Sequence, residues 1–358
     1  MKTGSMPRAA VAGALSVDIC PTFINEYASS FGDIIRPGAV TRITGHEVHP
    51  GGPVANTGIA MRIFGIEPVL CARVGNDDFG RMVISMLRRG AGEDSVRGVI
   101  AGEDSYTAYS LILAPRGLDR AILQNPGAND MFSADDIDWD ALKGCGLLHF
   151  GHPSTMKRIY ENDGEGLLRI LRGAKERGML TSLDLCAVDP GSDAGKCRWG
   201  RVMERVLPYT DFFVPSIDEA REIFMPGEAG SGDVMEDAAV IAGRARSLGA
   251  RNILIKCGAR GMYYENADAG FFRRAEDTLG TRRGSLSSWA DARGQRDAVA
   301  VKKEVSGLGA GDTSIAAYLA ALLRGFPFER AVTLAVTEGA LCVTEASATG
   351  GLRPFEEV

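Results

Sequence analysis

Residues 307–312 read Gly-Leu-Gly-Ala-Gly-Asp and run straight into a small, apolar stretch, "TSIAAYLAALL". Glycine lets backbone come close to a ligand and adopt positive φ. Consecutive amides at a helix start carry partial positive charge. Such a turn suits a transferring phosphoryl group, with Gly309, Ala310 and Gly311 supplying amides and Asp312 placed to take a proton from a hydroxyl. No Lys-Ser/Thr follows the glycines, so the turn is not a Walker A loop. The plain alternative makes Asp312 an ordinary helix N-cap.

A second cluster has related chemistry. "HPGGPVANTG" (49–58) sets Gly51 and Gly52 ahead of a helix with Asn56 in its first turn. The Asn56 amide can donate to or accept from a polyol hydroxyl. Asp18 follows an apolar run at 9–17, at the carboxyl end of a strand, where α/β sheets gather ligands. Taken alone, Asp18 also reads as a turn residue and Asn56 as a cap.

The elements that must position these residues alternate. Strand-like runs are expected at 9–17, 67–75, 146–151, 180–185, 211–216 and 252–258, with helical patterns between them, such as 53–65 and 78–90. Apolar strands alternating with helices predict a parallel sheet covered on both faces. Two stretches break the rhythm. Residues 18–50 and 104–125, the latter with a turn at Pro115-Arg116-Gly117, read as antiparallel hairpins of a small second sheet. That sheet either covers a site or merely decorates the surface. Residues 273–304 are polar and charge-rich and read as a long solvated loop, with Trp289 as one packed anchor.

Composition removes several function classes. The 358 residues are 45% hydrophobic and 24% charged with a net charge of −6, and no basic stripe stands out, which argues against a nucleic-acid partner. No apolar run of about 20 residues is present, which argues against a membrane span. Seven scattered cysteines without a CxxC pair argue for a reducing, cytoplasmic setting and against a zinc site. The first twenty residues lack the basic-then-apolar signature of a secretory leader.

Read in order, "GALSVD", "GGPVANTG", "ARVGNDDFG" (72–80) and "GLGAGD" resemble the motifs of the ribokinase-like, or PfkB, carbohydrate kinase family, and the resemblance runs along nearly the whole chain. It implies one kinase domain over 1–358, a Rossmann-type α/β/α core with a small β-sheet lid. It implies transfer of the ATP γ-phosphoryl group to a primary alcohol of a sugar-like small molecule, with Mg²⁺. Carried over, Asp312 is the general base, Gly309, Ala310 and Gly311 form the anion hole, and Asp18, Gly51, Gly52 and Asn56 bind the acceptor.

On the nucleotide side, "DFFVPSIDEA" resembles the family's Asn-x-x-Glu segment, with Ser216 in place of asparagine and Glu219 retained to order metal-bound water. The two residues equally form a helix capping box. "IKCGARG" (255–261) resembles the ATP-contacting segment, with Gly258, Gly261 and Lys256, the last replacing a common threonine. Lys256 either reaches a phosphate or is solvated. Val336 replaces a frequent asparagine, so Val336 and Cys342 are expected to make apolar adenine contacts. Ser306 and Gly307 replace a frequent Asp-Thr, which weakens the monovalent-cation site many members have.

The acceptor is less defined. Arg120 is expected as a lid cation near substrate, or else as a solvated arginine. His149 and His152 follow a strand and either line the pocket or are structural. A nucleoside acceptor on the same fold would need an aromatic stack, for which Phe23, Tyr106 and Tyr109 are candidates. A catalytically dead nucleotide or sugar sensor is the reading from another class, and retention of Asp312 with its glycines argues against it. Exposed lid edges would allow a homodimer.

Overall fold

The computed structural model describes residues 6–24, 28–115, 118, 120–302, 305–345 and 347–357. Arg116 and Gly117 of the expected hairpin turn, and residues 25–27, 303 and 304 of the other two segments, lie outside them.

In chain order the strands are β1 (Arg8–Gly13), β2 (Ser16–Phe23), β3 (Ile43–Gly51), β4 (Glu67–Gly75), β5 (Gly98–Gly102), β6 (Tyr109–Leu113) and β7 (Ala121–Asn125). They continue with β8 (Cys145–Gly151), β9 (Leu180–Leu183), β10 (Phe212–Phe213), β11 (Asn252–Lys256), β12 (Met262–Glu265) and β13 (Arg293–Arg296). The helices are α1 (Pro53–Ile63), α2 (Asp78–Ala91), α3 (Lys157–Glu176), α4 (Trp199–Val206), α5 (Ile217–Phe224), α6 (Val234–Ser247), α7 (Ala269–Leu279), α8 (Ala310–Leu323) and α9 (Phe328–Cys342).

The large sheet has the order β13-β12-β11-β10-β9-β8-β1-β4-β5. It is parallel from β5 to β11, while β12 and β13 add as antiparallel edge strands. Side chains of residues 9–12 alternate between its faces, as a period of two requires. Ala9 and Val11 join one apolar cluster, with α1, α2, α7, α8 and α9; Ala10 and Ala12 join the other, with α3 to α6. The expected two-faced α/β architecture is thus present. Helix α8 is buried on every side, which is why its sequence is apolar all round rather than striped. Among the described residues no helix is long and apolar enough to cross a membrane.

The small sheet has the order β3-β2-β6-β7 and is built from the two expected hairpin regions. Its first strand corrects the reading of 9–17 as one strand. At Gly13 a Cβ would lie 2.2 Å from the Gly151 carbonyl oxygen and φ is +136°, so the chain leaves the large sheet there. It enters the small sheet at Ser16, and Asp18 lies inside β2 rather than at the end of a core strand.

Residues 273–304 also differ from expectation. They complete α7, form a short 3-10 turn at Ser287–Trp289 and supply β13. The buried Glu276 carboxylate accepts the Gly284 and Leu286 amides at 2.9 and 2.8 Å, and the fully buried Trp289 indole donates to the Phe326 carbonyl at 2.8 Å. Charge-rich composition signalled solvent here, but two buried anchors give the segment its order.

Candidate active site

A cavity of about 1320 Å³ lies between the two sheets, at the carboxyl ends of the parallel strands. Helix α8 enters it end-on. Gly309 caps this helix in the left-handed region (φ 75°), and a Cβ there would meet Ala348 Cβ at 2.3 Å. Asp312 is therefore the third helical residue and not the N-cap, which corrects the plain reading. Its carboxylate is divided. Oδ2 accepts the Asn56 amide at 2.8 Å, while Oδ1 is buried without a hydrogen-bond partner. His152 Nε2 stands 4.0 Å from that free oxygen.

Asn56 reaches Asp312 because α1 and α8 pack side by side and Gly52, not Asn56, is the N-cap of α1. Gly52 has φ 83°, and a Cβ would lie 2.5 Å from the Ala14 carbonyl oxygen. Gly51 serves Asp18 sterically: a Cβ would lie 2.2 Å from Asp18 Oδ2. Asp18 accepts the Ser16 hydroxyl at 2.9 Å. Burial raises its carboxyl, partly opposed by hydrogen bonds from Ser16 and Ser110 and by the nearby His49 and His152.

Lys256, the last residue of β11, is not solvated. Its Nζ donates to Asp184 Oδ1 at 2.7 Å, and both side chains are nearly buried. Burial pulls Lys256 down, but Asp184, Glu219 and Asp312 more than offset this and its net shift is upward. Burial pushes the Asp184 carboxyl up, with Lys256 opposing. Sequence reasoning missed Asp184. The available signal was a carboxylate closing the apolar run "TSLDL", where a parallel strand points its end at the site. His152, Asp184 and Asp312 each bring one ligand atom within 4.8 Å of the others.

Ser216 caps α5 and forms the capping box: the Ser216 amide donates to Glu219 Oε2 at 2.8 Å, and the Glu219 amide to Ser216 Oγ at 3.4 Å. Both residues also line the cavity, as do Gly258, Gly307, Gly311 and Arg120, the last exposed. Five expected residues do not line it. Gly51 stands behind Asp18, and Ala310 offers only its place in the first turn of α8. Gly261 faces β13, where a Cβ would lie 2.0 Å from the Arg296 carbonyl oxygen. Val336 is packed in the apolar core. Cys342 is fully buried against the Leu308 and Ala348 carbonyls at 3.3 and 3.2 Å.

The two histidines separate. His149 is fully buried with Nδ1 3.0 Å from the Ser182 hydroxyl, and burial pushes it down to about 3. His152, held at φ 57°, lines the cavity instead. Phe23, Tyr106 and Tyr109 do not line it. Tyr106 is exposed, and Tyr109 packs edge-on against Phe79 at 5.9 Å.

A cavity at strand ends, a helix amino end and a half-engaged carboxylate define a site class, and similarity to known proteins narrows it. The family model described as "pfkB family carbohydrate kinase" matches residues 12–354. Fructokinase-1 of Zea mays is 30% identical over 137 residues, 38% of this chain and 41% of that protein. An uncharacterized sugar kinase of Archaeoglobus fulgidus is 25% identical over 288 residues, 80% of this chain and 96% of that one. The chain thus spans about two fifths of the fructokinase but nearly all of the archaeal protein.

Among solved structures, an E. coli protein assigned as a ribokinase II, with ATP and Mg²⁺, superposes with a TM-score of 0.73 at 22% identity, covering 98% of this chain and 97% of that one. A ribokinase of Arabidopsis thaliana complexed with ribose and ATP gives 0.69 at 16% identity, with coverage of 98% and 97%. At these identities the likeness is one of fold.

Proposed function

The chain belongs to the pfkB family of carbohydrate kinases, and from that premise we propose that it transfers the γ-phosphoryl group of ATP to a primary hydroxyl of a sugar or sugar derivative. One observation carries the reading: Asp312 holds Oδ2 on Asn56 and keeps Oδ1 buried and unpaired at the cavity wall. A buried carboxylate oxygen without a donor is costly, and an acceptor hydroxyl is the donor it lacks. A sugar alcohol is too weak an acid to attack unaided, so Asp312 takes its proton as the new bond forms.

The neighbours divide the remaining work. The amides of Gly309, Ala310 and Gly311 face developing charge on the phosphoryl oxygens, helped by the positive end of α8. Gly311 keeps the approach open, since a Cβ there would stand 3.4 Å from Lys256 Nζ. Lys256, fixed by Asp184, holds positive charge in the same place. Asp18, with Gly51 clearing its surroundings, orients the acceptor beside Gly52, and the small sheet serves as a lid carrying Arg120.

The residues present fit ATP with Mg²⁺. The Lys256 ammonium already engages Asp184, so Glu219 would be the residue to hold the metal, through water. Bound there, Mg²⁺ supplies charge neutralisation at the phosphates. Family membership and the likeness to ATP-bound structures support this cofactor pair. The exposed edges β3 and β7 support pairing of two copies through the small sheet. A nucleoside acceptor has less support, because the expected stacking residues lie away from the cavity.

The test is ATP consumption scanned over sugars, sugar phosphates and nucleosides, with Asp312→Asn as the paired control. A sugar or sugar derivative should stimulate turnover in the wild type, and the variant should lose about 10²–10⁴-fold while still binding ATP. A fully active Asp312→Asn enzyme would rule out the proposed base.

A further inference from the structure

Helix α8 ends far from Asp312, and its far end borders a second cavity, of about 850 Å³. Arg8, Arg282, Arg324, Thr281 and Ser285 line it, and among the described residues no carboxylate does. Two of its lining groups are buried hydroxyls without a hydrogen-bond partner, Thr281 Oγ1 and Ser285 Oγ, while Arg8 Nε faces the Glu67 carboxylate at 3.6 Å. A buried polar group left unpaired is costly. Two such hydroxyls beside three arginines in one cavity call for a ligand rich in acceptors. Glycines keep the space open, since a Cβ on Gly325 would lie 3.0 Å from Ser285 Oγ and one on Gly144 3.4 Å from Arg8 Nη1.

We propose that this cavity is a second ligand site, which takes a phosphate monoester. The guanidinium forks match phosphate oxygens in geometry. Arg282 is exposed and makes no ion pair among the described residues. Arg8 donates to the Lys143 carbonyl and lies 3.6 Å from Glu67, while Arg324 is held by the Phe64 carbonyl and Glu356. These carboxylates and the C-terminal ends of α7 and α8, about half a negative charge each, reduce the long-range field. Binding therefore rests on direct hydrogen bonds from Arg282 and from the Thr281 and Ser285 hydroxyls. The volume exceeds that of phosphate alone and falls in the range of small-molecule sites, about 300–1,000 Å³. Leu323 and Phe326 line part of the remainder, where the carbon portion of an ester would lie.

The site is separate from the catalytic one. Twelve residues of helical rise, about 18 Å, separate Asp312 from Arg324, and the inference does not depend on the kinase reading. The full chain is titrated by calorimetry with glycerol 3-phosphate and with inorganic phosphate, as wild type, Arg282→Glu, Thr281→Val and Asp312→Asn, with circular dichroism confirming the fold of each. The ester should bind wild type and Asp312→Asn alike and weaken about tenfold or more in the two cavity variants. Inorganic phosphate should bind more weakly than the ester. Unchanged affinity in both cavity variants, loss confined to Asp312→Asn, or no heat up to about 10 mM ester overturns the site. Equal affinity for the two ligands overturns the assignment of an ester.

Discussion

Asn56 and Asp312, 256 residues apart in the chain, are joined by a buried 2.8 Å hydrogen bond that takes one carboxylate oxygen and leaves the other without a partner. The bond fixes which oxygen faces the cavity. It also ties the first turns of α1 and α8 together, so the glycines at 51 and 52, proposed for the acceptor side, and those at 309 and 311, proposed for the phosphate side, are set by one contact.

Replacing Asn56 tests this arrangement. Asn56→Ala removes the donor without touching Asp312, the proposed base, and the carboxylate loses its fixed orientation. Turnover should fall about tenfold or more, in line with the cost of small misplacements of a catalytic group, while ATP affinity stays the same. Steady-state kinetics together with ATP binding decides it, and unchanged turnover would show that Asp312 is positioned by other contacts.

Gly51→Ala probes the acceptor side. Gly51 has no left-handed backbone, so alanine is tolerated there, but its Cβ would fall 2.2 Å from Asp18 Oδ2 and displace that side chain. The KM for the acceptor should rise about tenfold, with the KM for ATP unaffected. An unchanged acceptor KM would remove Asp18 from the binding set.

A pH effect on stability should come from Glu338 on α9. The residue is fully buried, and burial raises its carboxyl from 4.5 to about 7, partly opposed by the Arg353 backbone amide and the Arg353 charge. A carboxyl raised in the folded state binds its proton more tightly folded than unfolded. Its contribution is therefore fully present below the ordinary glutamate value and is lost as pH rises through about 7. Urea denaturation across that window should show a decline in stability that Glu338→Gln flattens. An identical slope in the variant would assign the decline to other groups.

Trp289→Ala should destabilise the protein by about 3–5 kcal/mol. The indole is fully buried among Phe272, Tyr318 and Phe328, with ring centroids 5.9, 5.1 and 5.2 Å away. Denaturation midpoints measure the loss, and a change below about 1 kcal/mol would restore the solvated-loop reading of its segment.

Much of this was legible before any coordinates. The apolar runs of the parallel strands, the two hairpin regions and the glycine-rich entry to α8 each depend on residues within a few positions of one another. Local propensity and periodicity therefore predict them. Asp312, Gly309 and Gly311 stand out in the sequence for the same reason, since a glycine turn ahead of an apolar helix is a short-range pattern. The reading of 9–17 as one strand failed because Gly13 answers to Gly151, a contact the local pattern does not contain. The loop at 273–304 was misread because Glu276 and Trp289 offset its polarity with buried partners.

The sequence by itself thus determined the α/β alternation, the two hairpins and the kinase-like motifs, all short-range features. Only the tertiary structure decided which side chains share the site. It placed Asp184 under Lys256 and His152 beside Asp312, and it removed Val336, Cys342 and Gly261 from the cavity wall. The reason is physical: a hydrogen bond or a buried ion pair depends on distance in space. The residues that meet here come from strand ends and helix starts as much as 256 positions apart, and only packing around the sheet brings them within reach.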